Sequence, residues 1–88
     1  MVWELHLPAC QSLKDKRTIV KSLKDRLHNR FNVSVAETGH HDLWQRAELT
    51  AAVVSTDRRH AESVLREVDE MVAGADGARV VDTSASYL

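Results

Sequence analysis

Cations at helical spacing are the residues of this chain whose arrangement points to chemistry. Lys14, Arg17, Lys21, Lys24 and His28 follow i, i+3, i+7, i+10 and i+14. On a helix that spacing lines them up along one flank. Such a stripe can neutralise successive phosphates of a nucleic-acid backbone, releasing counterions and giving salt-dependent affinity. The run Ser12–Arg30 carries seven cations (Lys14, Lys16, Arg17, Lys21, Lys24, Arg26 and Arg30) against Asp15 and Asp25, a net of +5. The whole chain is −1, so the remainder sums to −6. The competing reading is a solvated outer face, where lysine stems shield apolar neighbours. Asp25 lies near the stripe and weakens its field.

A second constellation occupies Thr38–Arg46, where His40, His41, Trp44, Gln45 and Arg46 gather within a few residues. An exposed Trp44 would stack on a base while Arg46 reaches a phosphate. Tryptophan is usually largely buried, however. The residue type therefore favours Trp44 as a lid on one end of the core, with Gln45 satisfying nearby backbone groups. His40-His41-Asp42 is a poor metal site: neighbouring side chains on a strand diverge, and zinc wants three or four convergent ligands. His6 and His60 are isolated. No nucleophile–base arrangement, glycine-rich phosphate loop or C-x-x-C is present, so the expectation is a protein that is not an enzyme and needs no cofactor.

The elements that position these residues follow from periodicity. Val2–Ala9 alternates, with Trp3, Leu5 and Leu7 on one face, and Pro8 ends it as a strand. Ser12 is an N-cap with Asp15 three residues on. At about 100° per residue, Leu13, Ile19, Val20, Leu23 and Leu27 cluster on one side of a helix reaching Arg30. Phe31–Glu37 alternates again. Thr38–Asp42 reads as a turn built around Gly39, and Arg46–Ser55 as a strand forming a hairpin with its predecessor. Asp57 caps a second helix with the stripe Ala61, Val64, Leu65, Val68, Met71 and Val72. Gly74 is placed to end that helix as a C′ residue. Asp76-Gly77 is a turn signal, and Ala78–Thr83 a final strand.

Strand, helix, strand, strand, helix, strand predicts an α+β ferredoxin-like βαββαβ sandwich. Its four-stranded antiparallel sheet carries both helices on one face. Eighty-eight residues are read as a single domain, 1–88, with one core. The lone Cys10 cannot form an internal disulfide and reads as a small apolar residue of a cytoplasmic protein. No apolar run nears the ~20 residues that span a bilayer, and MVWELHLPAC lacks the pattern of a signal peptide.

The order SLKDKR, then RLHNRFNVSVAE, then DLWQRAEL resembles the YlxP-like family, a bacterial group of unknown function. The resemblance spans about Leu5 to Met71. Its most specific block is Arg30 to Glu37 followed by Leu43-Trp44-Gln45-Arg46-Ala47. It implies a ferredoxin-like fold. It also implies an RNA or ribosome connection, because genes of the family often lie beside translation-initiation and ribosome-maturation genes. It carries no catalytic residue. Members usually start several residues earlier, so the first strand is expected to be truncated and incompletely paired at its N-terminal end.

Two related folds fit poorly. Acylphosphatases need a glycine-rich phosphate loop after the first strand, and none is present. An RNA-recognition motif needs aromatics on the open sheet face, where this chain offers Glu4, His6, Glu48 and Thr50. The nucleic-acid candidates are therefore Lys14, Arg17, Lys21, Lys24, Trp44 and Arg46. The alternative is a homo-oligomer without a nucleic-acid role. It would pair through the open face, whose Val2, Ala36, Thr50, Ala52 and Val54 are small or apolar enough for close packing.

Overall fold

A computed structural model describes residues 1–88. The elements are β1 (Val2–His6), α1 (Leu13–Arg30), β2 (Ser34–Gly39), β3 (Arg46–Ala52), α2 (Arg58–Ala73) and β4 (Arg79–Ser84). The sheet order is β2-β3-β1-β4, every neighbour pair antiparallel. This is the ferredoxin-like α+β sandwich. Alternation sends Trp3 and Leu5 of β1, and Ala47, Leu49 and Ala51 of β3, into the core. They meet Val20, Leu23 and Leu27 of α1 and Leu65, Val68 and Val72 of α2. Trp3 is fully buried, and its indole N–H donates to Asp69 Oδ1 at 2.8 Å, which satisfies the one polar group of the largest core side chain. No helix is long and apolar enough to cross a membrane.

Several boundaries depart from the periodic pattern, each for a local reason. The first strand is paired to its end: the Met1 amino group donates to Ala51 O at 2.8 Å and Ala51 N–H returns the bond at 2.9 Å. Burial lowers the pKa of that amino group. β2 starts at Ser34, because Phe31 still serves α1 as its C-cap, its N–H bonding Leu27 O at 2.9 Å. β3 stops at Ala52, opposite Ser34; beyond it β2 offers no ladder partner. Gly39 is not the turn. It remains in β2 beside a register shift, and a Cβ there would lie 3.1 Å from Glu48 Cβ, so glycine permits a close strand approach. The left-handed residue of the connection is His40, at φ 61°. Gly74 caps α2 at φ −92°, whereas Gly77 holds φ 82°.

The open face carries the expected Glu4, His6, Glu48 and Thr50, to which β4 adds Asp82 and Arg79. Register places Glu48, Glu4 and Asp82 in one row across β3, β1 and β4, and Arg46, His6 and Arg79 in the next. The small residues Ala36, Thr50 and Ala52 lie toward one end with Val2, and Val54 falls outside the sheet.

Candidate nucleic-acid interface

The phase of α1 is set at its start. Ser12 Oγ accepts from Asp15 N–H at 3.0 Å, and Asp15 Oδ2 accepts from Gln11 N–H at 3.0 Å. With Val20, Leu23 and Leu27 turned to the sheet, the basic stripe falls on the flank beside edge strand β2. Helix and strand enclose a groove of about 360 Å³ lined by Arg17, Val20, Lys21, Lys24, Asp25, His28 and Glu37. Lys14 is exposed on the first turn and does not line it. Lys21 Nζ lies 2.8 Å from Asp25 Oδ2. That hydrogen bond raises the lysine pKa and lowers that of the aspartate. Its charge is therefore offset. Lys14, Arg17 and Lys24 take part in none of the five ion pairs of the chain.

Lys16 was not among the predicted site residues, and the structure buries it to 2% exposure. Its ammonium donates to His40 O at 2.8 Å and Arg46 O at 3.2 Å, approaches His41 O at 3.5 Å, and lies 3.0 Å from Glu37 Oε2. The Glu37 contact is a charge pairing without hydrogen-bond alignment, and Oε2 has no hydrogen-bond partner elsewhere. A signal existed in the spacing: Lys16, Val20, Leu23 and Leu27 are i, i+4, i+7 and i+11, so the lysine occupies the first position of the core stripe.

The β2–β3 loop, residues 40–45, is tied down from several sides. His40 Nε2 is 2.8 Å from Glu4 Oε2, and Arg46 Nη2 is 3.4 Å from the same oxygen. Leu43 N–H donates to His40 O at 3.0 Å. Gln45 Nε2 donates to Pro8 O at 3.3 Å and Cys10 O at 3.2 Å, the backbone role its position predicts. His41 Nε2 lies 3.2 Å from Glu37 O. Thus His40 and His41 turn to different partners. No three His, Cys, Asp or Glu side chains are grouped to hold a metal ion.

Trp44 is not the lid of the core. It is 53% exposed and Leu43 48% exposed. Leu7, Cys10 and the Lys16 stem close that end instead, all within 2% exposure. Burial pushes the Cys10 thiol pKa up; Asp15 adds to this and Lys16 opposes it. Trp44 and Arg46 share a shallow concavity of about 320 Å³ with Asp42, Leu43 and Gln45. The six predicted residues therefore divide: Arg17, Lys21 and Lys24 line the groove, Trp44 and Arg46 the loop, and Lys14 stands apart. Lys16 and Glu37 join groove to loop, since Glu37 lines the first and pairs with the lysine that anchors the second.

The segments on which the family resemblance rests meet at this junction: Lys16 from SLKDKR, Glu37 from the second block, Gln45 and Arg46 from the third. A family model described as "Protein of unknown function (DUF503)" matches residues 1–85. The "Uncharacterized protein YlxP" of Bacillus subtilis (strain 168) is 44% identical over 57 residues, 65% of this chain and 62% of that relative. The chain thus covers less than two thirds of the relative's length. The family match runs from β1 through β4, the whole of the sheet and both helices, and the chain belongs to the DUF503 family.

Proposed function

We propose that the chain is a cytoplasmic, non-catalytic module that binds the phosphate backbone of RNA, in a ribosome-associated setting. The observation that carries this is the groove between α1 and β2, lined by Arg17, Lys21, Lys24 and His28, whose two carboxylates, Asp25 and Glu37, are each paired with a lysine. Backbone neutralisation needs cations at a repeated spacing along a surface a strand can follow, and it positions the ligand without reading its sequence. Arg17 and Lys24 carry the interaction, Lys14 extends it beyond the groove, and the Lys21 charge is offset by Asp25. The gene neighbourhood implied by the family resemblance supports RNA as the polyanion.

Binding of a structured RNA, measured by filter retention across a salt series, tests this. Affinity is expected to fall steeply with salt. Arg17→Glu with Lys24→Glu should lessen the slope of log K against log salt by roughly 1.4–1.8, at about 0.7–0.9 per phosphate contact. Equal slopes for the wild type and the double variant sink the reading.

A second reading, an isologous homodimer through the open sheet face, is favoured by one observation. The acidic row Glu48–Glu4–Asp82 lies beside the basic row Arg46–His6–Arg79, so a two-fold axis between the rows sets each against its complement.

A further inference from the structure

The exposed tryptophan changes what kind of strand the groove suits. We propose that Trp44 is a base-stacking platform and that the ligand is a single-stranded nucleic acid, its backbone in the α1–β2 groove and one base on the Trp44 indole. This rests on the phosphate-binding reading of the groove and extends it to a second contact of different chemistry.

Trp44 presents a large apolar ring to solvent at the tip of a β connection, with Leu43 exposed beside it. Neither contributes to the core, which is closed without them by Leu7, Cys10 and Lys16. Their loop is not a slack one. Lys16 binds two of its flanking carbonyls, His40 O and Arg46 O, Gln45 bonds the chain before α1, and His40 is held by Glu4. An indole with two rotatable bonds on an anchored loop loses little conformational entropy when a ligand covers it.

Continuity argues for a nucleic acid over an apolar partner. The ion pair Lys16–Glu37 links groove and loop: Glu37 lines the groove with Arg17 and Lys24, while the buried Lys16 Nζ grips the loop carbonyls. A strand following Lys24 and Arg17 toward the start of α1 passes Glu37, whose lysine partner holds the loop that carries Trp44. Arg46 lines the concavity with Trp44, although it shares Glu4 with His40, and Asp42 is the one carboxylate there. A cationic channel ending at an exposed aromatic face is the combination by which proteins hold unpaired strands, because every base has a face to stack. In a duplex the bases already stack on one another and none is free for Trp44.

Trp3 is fully buried and Trp44 half exposed, so iodide quenching reads Trp44 alone. The probes are a short oligouridylate and an RNA duplex of the same length, titrated into the intact chain. Single strand is expected to quench Trp44 emission and shield it from iodide, and Trp44→Ala to weaken its binding roughly five- to hundred-fold with an unchanged salt slope. Trp44→Phe, which keeps a ring, should recover most of that loss. If the oligonucleotide binds with a salt slope yet leaves Trp44 open to iodide, or binds Trp44→Ala equally well, stacking is wrong and the groove reading stands. Equal affinity for duplex and single strand also overturns it. If neither RNA binds at low salt, both readings fail.

Discussion

Lys16 is the residue on which the most interactions converge. A lysine is almost never buried unless paired, and this one meets a carboxylate and three carbonyl oxygens contributed by β2, β3 and their connection. Removing one partner of a buried pair costs more than the pair contributes, because the other charge stays behind. Lys16→Met should lower unfolding free energy by about 3–5 kcal/mol in urea denaturation. Lys16→Met with Glu37→Gln should recover part of that loss, since no carboxylate is then left unpaired. Additive effects in the double-mutant cycle would mean that the two side chains do not interact. Cys10 sits beside this pair. With its thiol buried and its pKa raised, less thiolate forms at neutral pH and little of it is reachable. Alkylation by iodoacetamide should be slow in the native chain and fast in denaturant; equal rates would contradict the burial. Lysine at the head of an otherwise apolar stripe was readable in the sequence. Its role was not, since its partners lie 21 to 30 residues away.

At the scale of elements, the two glycines after α2 show how chain order and backbone conformation part company. Gly74 follows the last periodic residue, where a left-handed C′ glycine is common. Its φ is −92°, and a Cβ there would make ordinary contact at 3.4 Å with Glu70 O. Gly77 has φ 82°, and a Cβ would come within 3.0 Å of Ile19 Cδ1 on α1. Gly77→Ala should therefore destabilise by about 1–2 kcal/mol or more, while Gly74→Ala should be neutral or stabilise slightly. Thermal denaturation of both distinguishes them, and a larger loss at Gly74 would be inconsistent with this geometry. The same lesson holds at the β2–β3 connection, where Gly39 serves strand approach and His40 takes the left-handed turn. Helix caps, by contrast, were legible in order and type. Ser12 and Asp57 each accept a hydrogen bond from a backbone N–H within three residues, an interaction contained within the local sequence.

For the whole molecule, assembly turns on the charged rows of the sheet face. Sedimentation velocity should detect a dimer at micromolar concentration in low salt. Asp82→Arg should weaken it several-fold, and Asp82→Arg with Arg79→Glu should restore it, because the axis sets Asp82 of one copy against Arg79 of the other. A monomer under all conditions would remove the dimer reading and leave the groove unaffected. The α+β order, both helix phases and the core faces of β1 and β3 were determined by the sequence alone. Periods of 2 and 3.6 residues are properties of short segments and need no partner to be read. Tertiary structure alone decided that Lys16 is buried, that Trp44 is exposed, and that Glu4, Glu48 and Asp82 share a row. Each of these depends on which distant segment fills a given space. Lys16 and Leu7 close the end of the core that Trp44 would otherwise have covered, and strand register sets like charges side by side across three strands.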